Sequence, residues 1–160
     1  MPAAKKQPRV MILLGSSSDL PVIEKAKPLL ERFGLSHGVE VASAHRQPEK
    51  LKRILKKADQ GGTEVFIAVA GMAAHLPGVV ASMTAKPVIG VPVASGPLAG
   101  VDALLSIVQM PPGVPVATVA VGSAGARNAA VLAARILALG DKKVAAAMDD
   151  YRRELARGGR

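Results

Sequence analysis

The stretch RVMILLGSSSD, Arg9 to Asp19, decides the fold. Val10–Leu14 is an unbroken apolar run, far short of the ~18 residues needed to cross a membrane. It also shows no polar alternation, which marks a strand covered on both faces, as in a parallel sheet. Glycine ends the run, three serines and an aspartate follow, and from Asp19 to Phe33 the apolar residues Val22, Ala26, Leu29, Leu30 and Phe33 keep helical spacing. Pro21 fits a first turn, whereas Pro28 removes an internal hydrogen bond and predicts a kink.

The same strand–loop–helix unit recurs along the chain. Strands are predicted at Val39–Ala42, Val65–Ala70, Pro87–Pro92 and Val116–Val121. Helices are predicted at Arg46–Asp59, at a short segment through Met83, at Gly125–Leu139 and at Asp141–Ala156. Leu51, Ile54, Leu55 and Ala58 share one face of the second helix, and Lys50, Lys52, Arg53, Lys56 and Lys57 form a solvated stripe on the other. The Gly125–Leu139 helix is apolar almost all round and predicts burial. Alternating units of this kind build a three-layer α/β sandwich around a central parallel sheet, of the flavodoxin-like type. The reading divides the chain into a basic tail over 1–8, a catalytic domain over 9–140, and a C-terminal helix and basic tail over 141–160 that would pack on a neighbouring subunit.

Twenty-one basic against 12 acidic residues give a net charge of +9. Nine of the cations lie before Val10 or after Gly140, and the segment between holds 12 basic and 8 acidic residues, a modest +4. With two Phe, one Tyr and no Trp there is no platform on which bases could stack. A solvated basic surface explains the charge better than a nucleic-acid groove. No cysteine is present, so disulfides and thiolate metal sites are excluded, in keeping with a reducing cytoplasm.

In folds of this type ligands bind beyond the carboxyl ends of the strands, which selects Gly15–Asp19, Ser43–Arg46 and Gly71–Pro77. The first combines a helix N-terminus with serine hydroxyls, suited to a phosphate, and a carboxylate, Asp19, suited to ribose hydroxyls. Equally, Ser18 or Asp19 could simply cap the helix. In the second loop Arg46 offers a bidentate phosphate contact. His45 beside it offers an imidazole, whose ordinary pKa near 6.5 suits proton transfer at neutrality; a surface His beside a helix-start Arg is the plainer reading. The third loop is small and apolar and can turn backbone amides toward a carboxylate; His75 is either a second acid–base group or a structural one. His37 is assigned no role, Met72 reads as packing, and three histidines without a paired carboxylate motif do not make a metal site.

Taken together, GSSSD (Gly15–Asp19), SAHR (Ser43–Arg46), AAHLPG (Ala73–Gly78), PVIGVPV (Pro87–Val93), LLSIVQMPPGVPVATV (Leu104–Val119) and GSAGARNAAVLAARIL (Gly122–Leu137) resemble the N5-carboxyaminoimidazole ribonucleotide mutases of bacterial purine synthesis. The similarity runs from Val10 to Leu139. It implies an isomerase assembled as a homo-octamer, whose chemistry needs no cofactor; the lack of a membrane-length apolar run adds the expectation of a soluble, cytoplasmic protein. By position, Ser18, Ser43 and Arg46 look like phosphate contacts and Asp19 like the ribose partner. Ser16 and the backbone at Gly71, Ala74, His75 and Leu76 look like contacts to the migrating carboxylate and the base, and His45 like the general acid–base.

A related branch carboxylates aminoimidazole ribonucleotide directly with CO2. There a Lys commonly follows the catalytic His and the AHLPG stretch is altered, so Arg46 and Ala74–Gly78 favour the mutase branch. Gln47, Met72 and Ala103 depart from the usual Thr, Gly and Ser, and none of the three removes a proposed chemical group. A nucleotide- or nucleic-acid-binding module without catalysis is the remaining alternative from another class.

Overall fold

The computed structural model describes residues 7–159. Five parallel strands, β1 (Val10–Leu14), β2 (His37–Val41), β3 (Val65–Gly71), β4 (Val88–Val93) and β5 (Ala117–Thr118), stand in the order β2-β1-β3-β4-β5. All four neighbouring pairs are parallel. This is the flavodoxin-like order, whose direction reverses between β1 and β3.

Every residue of β1 is buried, because the strand lies inside the sheet with helices on both faces. Its side chains alternate between two cores, as strand geometry requires. Val10, Ile12 and Leu14 join Ile23, Leu30, Ala130, Ala133 and Met148 on one face, while Met11 and Leu13 join Leu51, Leu55, Phe66, Val80 and Ile107 on the other. The first layer holds α1 (Leu20–Ile23), α2 (Lys27–Arg32), α6 (Ser123–Ala138) and α7 (Lys142–Ala156); the second holds α3 (Pro48–Gly61), α4 (Leu76–Met83) and α5 (Val101–Val108).

Several sequence expectations need correction. The helix predicted over 19–33 is three pieces: a 3-10 turn at Ser17–Asp19, then α1, then α2. Pro28 does not kink a continuous helix. It sits in the first turn of α2, where a missing amide is harmless, and the chain breaks ahead of it with the Ala26 amide on the Ile23 carbonyl at 2.9 Å. Helix α5 was not foreseen. Six of its eight residues are apolar, yet only Ala103 and Ile107 are fully buried.

Predicted as six residues, β5 is two, although the Val119 and Gly122 amides still bond to the β4 carbonyls of Gly90 and Pro92. Helix α6 is buried on one side only: Ala126, Ala129, Ala130, Ala133 and Ala134 press on the sheet, whereas Arg127, Asn128 and Arg135 are exposed. The small side chains there serve close helix–sheet approach.

Of the basic tail read over 1–8, residues 1–6 lie outside the described residues, and Gln7 and Pro8 are tied to the domain through the Gly61 carbonyl and the Thr63 hydroxyl. Arg9 pairs with Glu64 and, at 2.7 Å, with Asp141. Asp141 in turn caps α7 through the amides of Lys143 and Val144. Helix α7 buries Val144, Met148 and Tyr151 within its own chain, and Tyr151 packs edge-on against Phe33 at 5.4 Å.

Candidate active site

A cavity of about 510 Å3 opens at the carboxyl ends of β1, β2 and β3. Its walls include Ser16, Ser18 and Asp19 after β1, Ser43, His45 and Arg46 after β2, and Gly71, His75 and Leu76 after β3. Nine of the ten residues singled out from the sequence therefore line one space of the size that small-molecule sites occupy. Ala74 is the tenth: its side chain is buried in the core and is absent from the cavity wall.

The first loop is a capping box. Ser16, rather than Ser18 or Asp19, is the cap of the 3-10 turn, with its hydroxyl accepting the Ser18 amide at 3.3 Å and the Ser18 hydroxyl at 2.8 Å. Asp19 closes the box by accepting the Ser16 amide at 3.2 Å. Capping does not account for the whole arrangement, because Asp19 is only 5% exposed and no cation pairs with it among the described residues. Burial pushes its carboxyl above the ordinary range, with the Ser16 amide and Ser18 hydroxyl partly opposing the shift. A buried carboxyl at a cavity wall without a counter-ion is costly to folding, and such groups concentrate at functional sites.

In the second loop the Ser43 hydroxyl accepts the Arg46 amide at 3.2 Å and its Nε at 3.5 Å. The exposed guanidinium pairs with no carboxylate among the described residues, so it is a positive charge without a counter-ion at the cavity rim. His45 reaches across to the third loop, where its Nε2 lies 2.5 Å from Nδ1 of His75 and the two rings meet edge to face at 77°. A hydrogen bond across this contact requires one imidazole to donate and the other to accept. His37 lies apart from this space, on β2.

The third loop contributes backbone. The amides of Ala74 and His75 close onto the Met72 and Ala73 carbonyls at 2.8 Å each. An anion in this loop would therefore meet the Leu76 amide at the start of α4. Met72 holds a left-handed backbone, φ 54°, and is exposed.

The sequence profile of the AIR carboxylase family matches residues 9–158, almost the whole of the described chain. The chain belongs to this family. Its relatives include the N5-carboxyaminoimidazole ribonucleotide mutase of Thermotoga maritima, 51% identical over 150 residues that cover 94% of this chain and 86% of the relative. The enzyme of the same name from Escherichia coli K12 is 52% identical over 145 residues, covering 91% of this chain and 86% of the relative. Among solved structures, Treponema denticola PurE superposes with a TM-score of 0.85 at 34% identity, over 93% of this chain and 92% of that one.

One polar residue of the cavity escaped the sequence reading. Ser95 lies beyond β4. The rule that selected the three loops applies equally to the carboxyl end of β4, but there the apolar run passes into Ala94-Ser95-Gly96 with no charged residue to draw notice. No group of three or more His, Cys, Asp or Glu among the described residues could hold a metal ion, and no helix among them is long and apolar enough to cross a membrane.

Proposed function

We propose that this chain converts N5-carboxyaminoimidazole ribonucleotide to 4-carboxy-5-aminoimidazole ribonucleotide in de novo purine (IMP) biosynthesis, by decarboxylation and recarboxylation with His45 as the general acid–base. The observation that carries this reading is the convergence of His45, His75, unpaired Arg46 and the Gly15–Asp19 turn on one cavity, in a chain of this family.

The phosphate is held by Arg46, Ser43 and Ser18, and the ribose hydroxyls by Asp19. Ser16 and the loop from Gly71 to Leu76, with the Leu76 amide open to an anion, receive the base and carboxylate. His45 as imidazolium protonates the departing nitrogen while the N–C bond breaks, releasing CO2 and the free amine. The imidazole C4 then attacks CO2, and neutral His45 removes the C4 proton, returning to its starting state. Atoms balance, and the one proton that leaves the histidine comes back. The His75 nitrogen at 2.5 Å is a partner that can orient the His45 ring and share its proton. No metal or organic cofactor enters these steps.

We further infer that the chain works in the cytoplasm as a homo-oligomer, an octamer as the family resemblance implies. Support comes from α5, where Val101, Leu105 and Val108 stand in helical register beside Leu98, each at least half exposed. An apolar stripe of this kind on a single chain marks a protein-binding surface, and a second copy supplies one.

Two assays test the reaction. Purified protein is given either N5-carboxyaminoimidazole ribonucleotide or aminoimidazole ribonucleotide with bicarbonate. Turnover of the first alone is the expected result, and turnover of only the second would assign direct carboxylation instead. The His45→Asn variant is expected to bind ribose 5-phosphate like the parent and to lose at least ~100-fold in kcat, the usual scale for a general acid–base. Unchanged turnover would exclude His45 from the chemistry.

A further inference from the structure

We propose that Ser95 is a substrate-binding residue whose hydroxyl receives the base-and-carboxylate end of the ribonucleotide. This deepens the reading of the site given above and rests on it. Strand order places the cavity-lining loops in a row, from Ser43–Arg46 after β2, through Gly15–Asp19 after β1 and Gly71–His75 after β3, to Ser95 after β4. Adjacent strands stand about 4.8 Å apart, so the row spans roughly 14 Å. A ligand with its phosphate at Arg46 and its ribose at Asp19 lays its heterocycle across β3, toward Ser95.

Hydrogen bonding separates Ser95 from the other serines of the cavity. The Ser18 hydroxyl donates to Ser16 at 2.8 Å, and the Ser43 hydroxyl accepts from Arg46. Ser95 makes a backbone bond, from its amide to the Val93 carbonyl at 3.1 Å, but its hydroxyl has no partner among the described residues. A half-buried serine at a cavity wall thus presents one donor and two acceptor positions.

Steric room has been left for it. A Cβ at Gly71 would stand 1.8 Å from the Ser95 Oγ and 3.2 Å from its Cβ. Gly71 does not have a positive φ, so backbone conformation is not what calls for glycine there. The missing side chain is what lets the β4 loop close over the end of β3. On the outer side, the Met72 side chain lies over Gly96, where an added Cβ would be 3.7 Å from the Met72 Cγ. These contacts hold the Ser95 segment against the loop that carries His75. A neutral hydroxyl suits a group that alternates between carboxylate and CO2, since its hydrogen bond is strong to the anion and weak to the neutral molecule.

The test is a binding comparison by calorimetry, which does not depend on turnover. Ser95→Ala removes one oxygen that bonds to nothing else in the chain, so the thermal midpoint stays that of the parent. Affinity for 4-carboxy-5-aminoimidazole ribonucleotide should fall at least about tenfold, the size of a lost hydrogen bond to a charged group. Affinity for ribose 5-phosphate, which lacks base and carboxylate, should stay within twofold. Gly71→Ala should repeat this pattern by displacing the hydroxyl. Unchanged affinity for the carboxylated ribonucleotide, or an equal loss for both ligands, overturns the role of Ser95. Failure of the parent to turn over its substrate counts against the proposed reaction, and the binding comparison still decides Ser95.

Discussion

Asp19 lies buried beneath the Gly15–Ser18 turn, accepts the Ser16 amide and meets no cation among the described residues, so its ionised form is disfavoured by burial. A carboxyl raised in the folded state is neutral in both states below its unfolded value near 3.9, and there it costs nothing. Above its raised folded value the penalty is complete. Asp19→Asn keeps an acceptor for Ser16 without the charge. Its thermal midpoint at pH 7 is therefore expected to equal or exceed the parent's, with the two converging toward pH 3, while affinity for ribose 5-phosphate falls. A midpoint clearly below the parent's at pH 7, by scanning calorimetry, would show that the carboxylate serves the fold rather than the ligand. Motif and spacing brought this residue to notice, as they did His45 and Arg46. They could not disclose its burial, nor the contact between His45 and His75, because these residues lie 30 positions apart and meet only through the sheet.

At the scale of elements, α5 and β4 are joined at a point with no slack. A Cβ at Gly90 would stand 2.4 Å from the Ile107 Cγ2 and 2.8 Å from a Val116 methyl. Gly90→Ala should overpack this core and cost about 1–3 kcal/mol in urea unfolding; a loss under 0.5 kcal/mol would mean that α5 can shift outward freely. At the other end of the sheet, Asp141 caps α7 and pairs with Arg9, whose hydrogen bond is the main cause of its lowered pKa. A carboxyl depressed in the folded state stabilises above its unfolded value, and that contribution is lost as pH falls through the folded one. Asp141→Ala is expected to lower the thermal midpoint at pH 7 and to approach the parent below pH 3. A constant gap across that range would place the effect in packing instead of charge.

For the whole molecule, the proposed homo-oligomer is tested at the exposed line of Leu98, Val101, Leu105 and Val108. Leu105→Glu puts a charge in the middle of that line, at a position over half exposed in the single chain, so the subunit itself should fold. Light scattering after size-exclusion chromatography is expected to report a smaller particle than the parent's. An unchanged mass would direct attention to another face, such as the outer side of α7.

The amino-acid order alone determined the strand–loop–helix rhythm, the parallel sheet and the loops that carry polar chemistry, because burial on two faces and ligand binding at strand ends both leave local marks. Pro28 as a helix start, α5 as a helix, two-residue β5 and one-sided α6 were settled by packing, since an apolar run does not say which neighbours will cover it. Ser95 belongs to the same class. Its hydroxyl acquires meaning only when strand order sets β4 beside β3 and Gly71 leaves the space it needs.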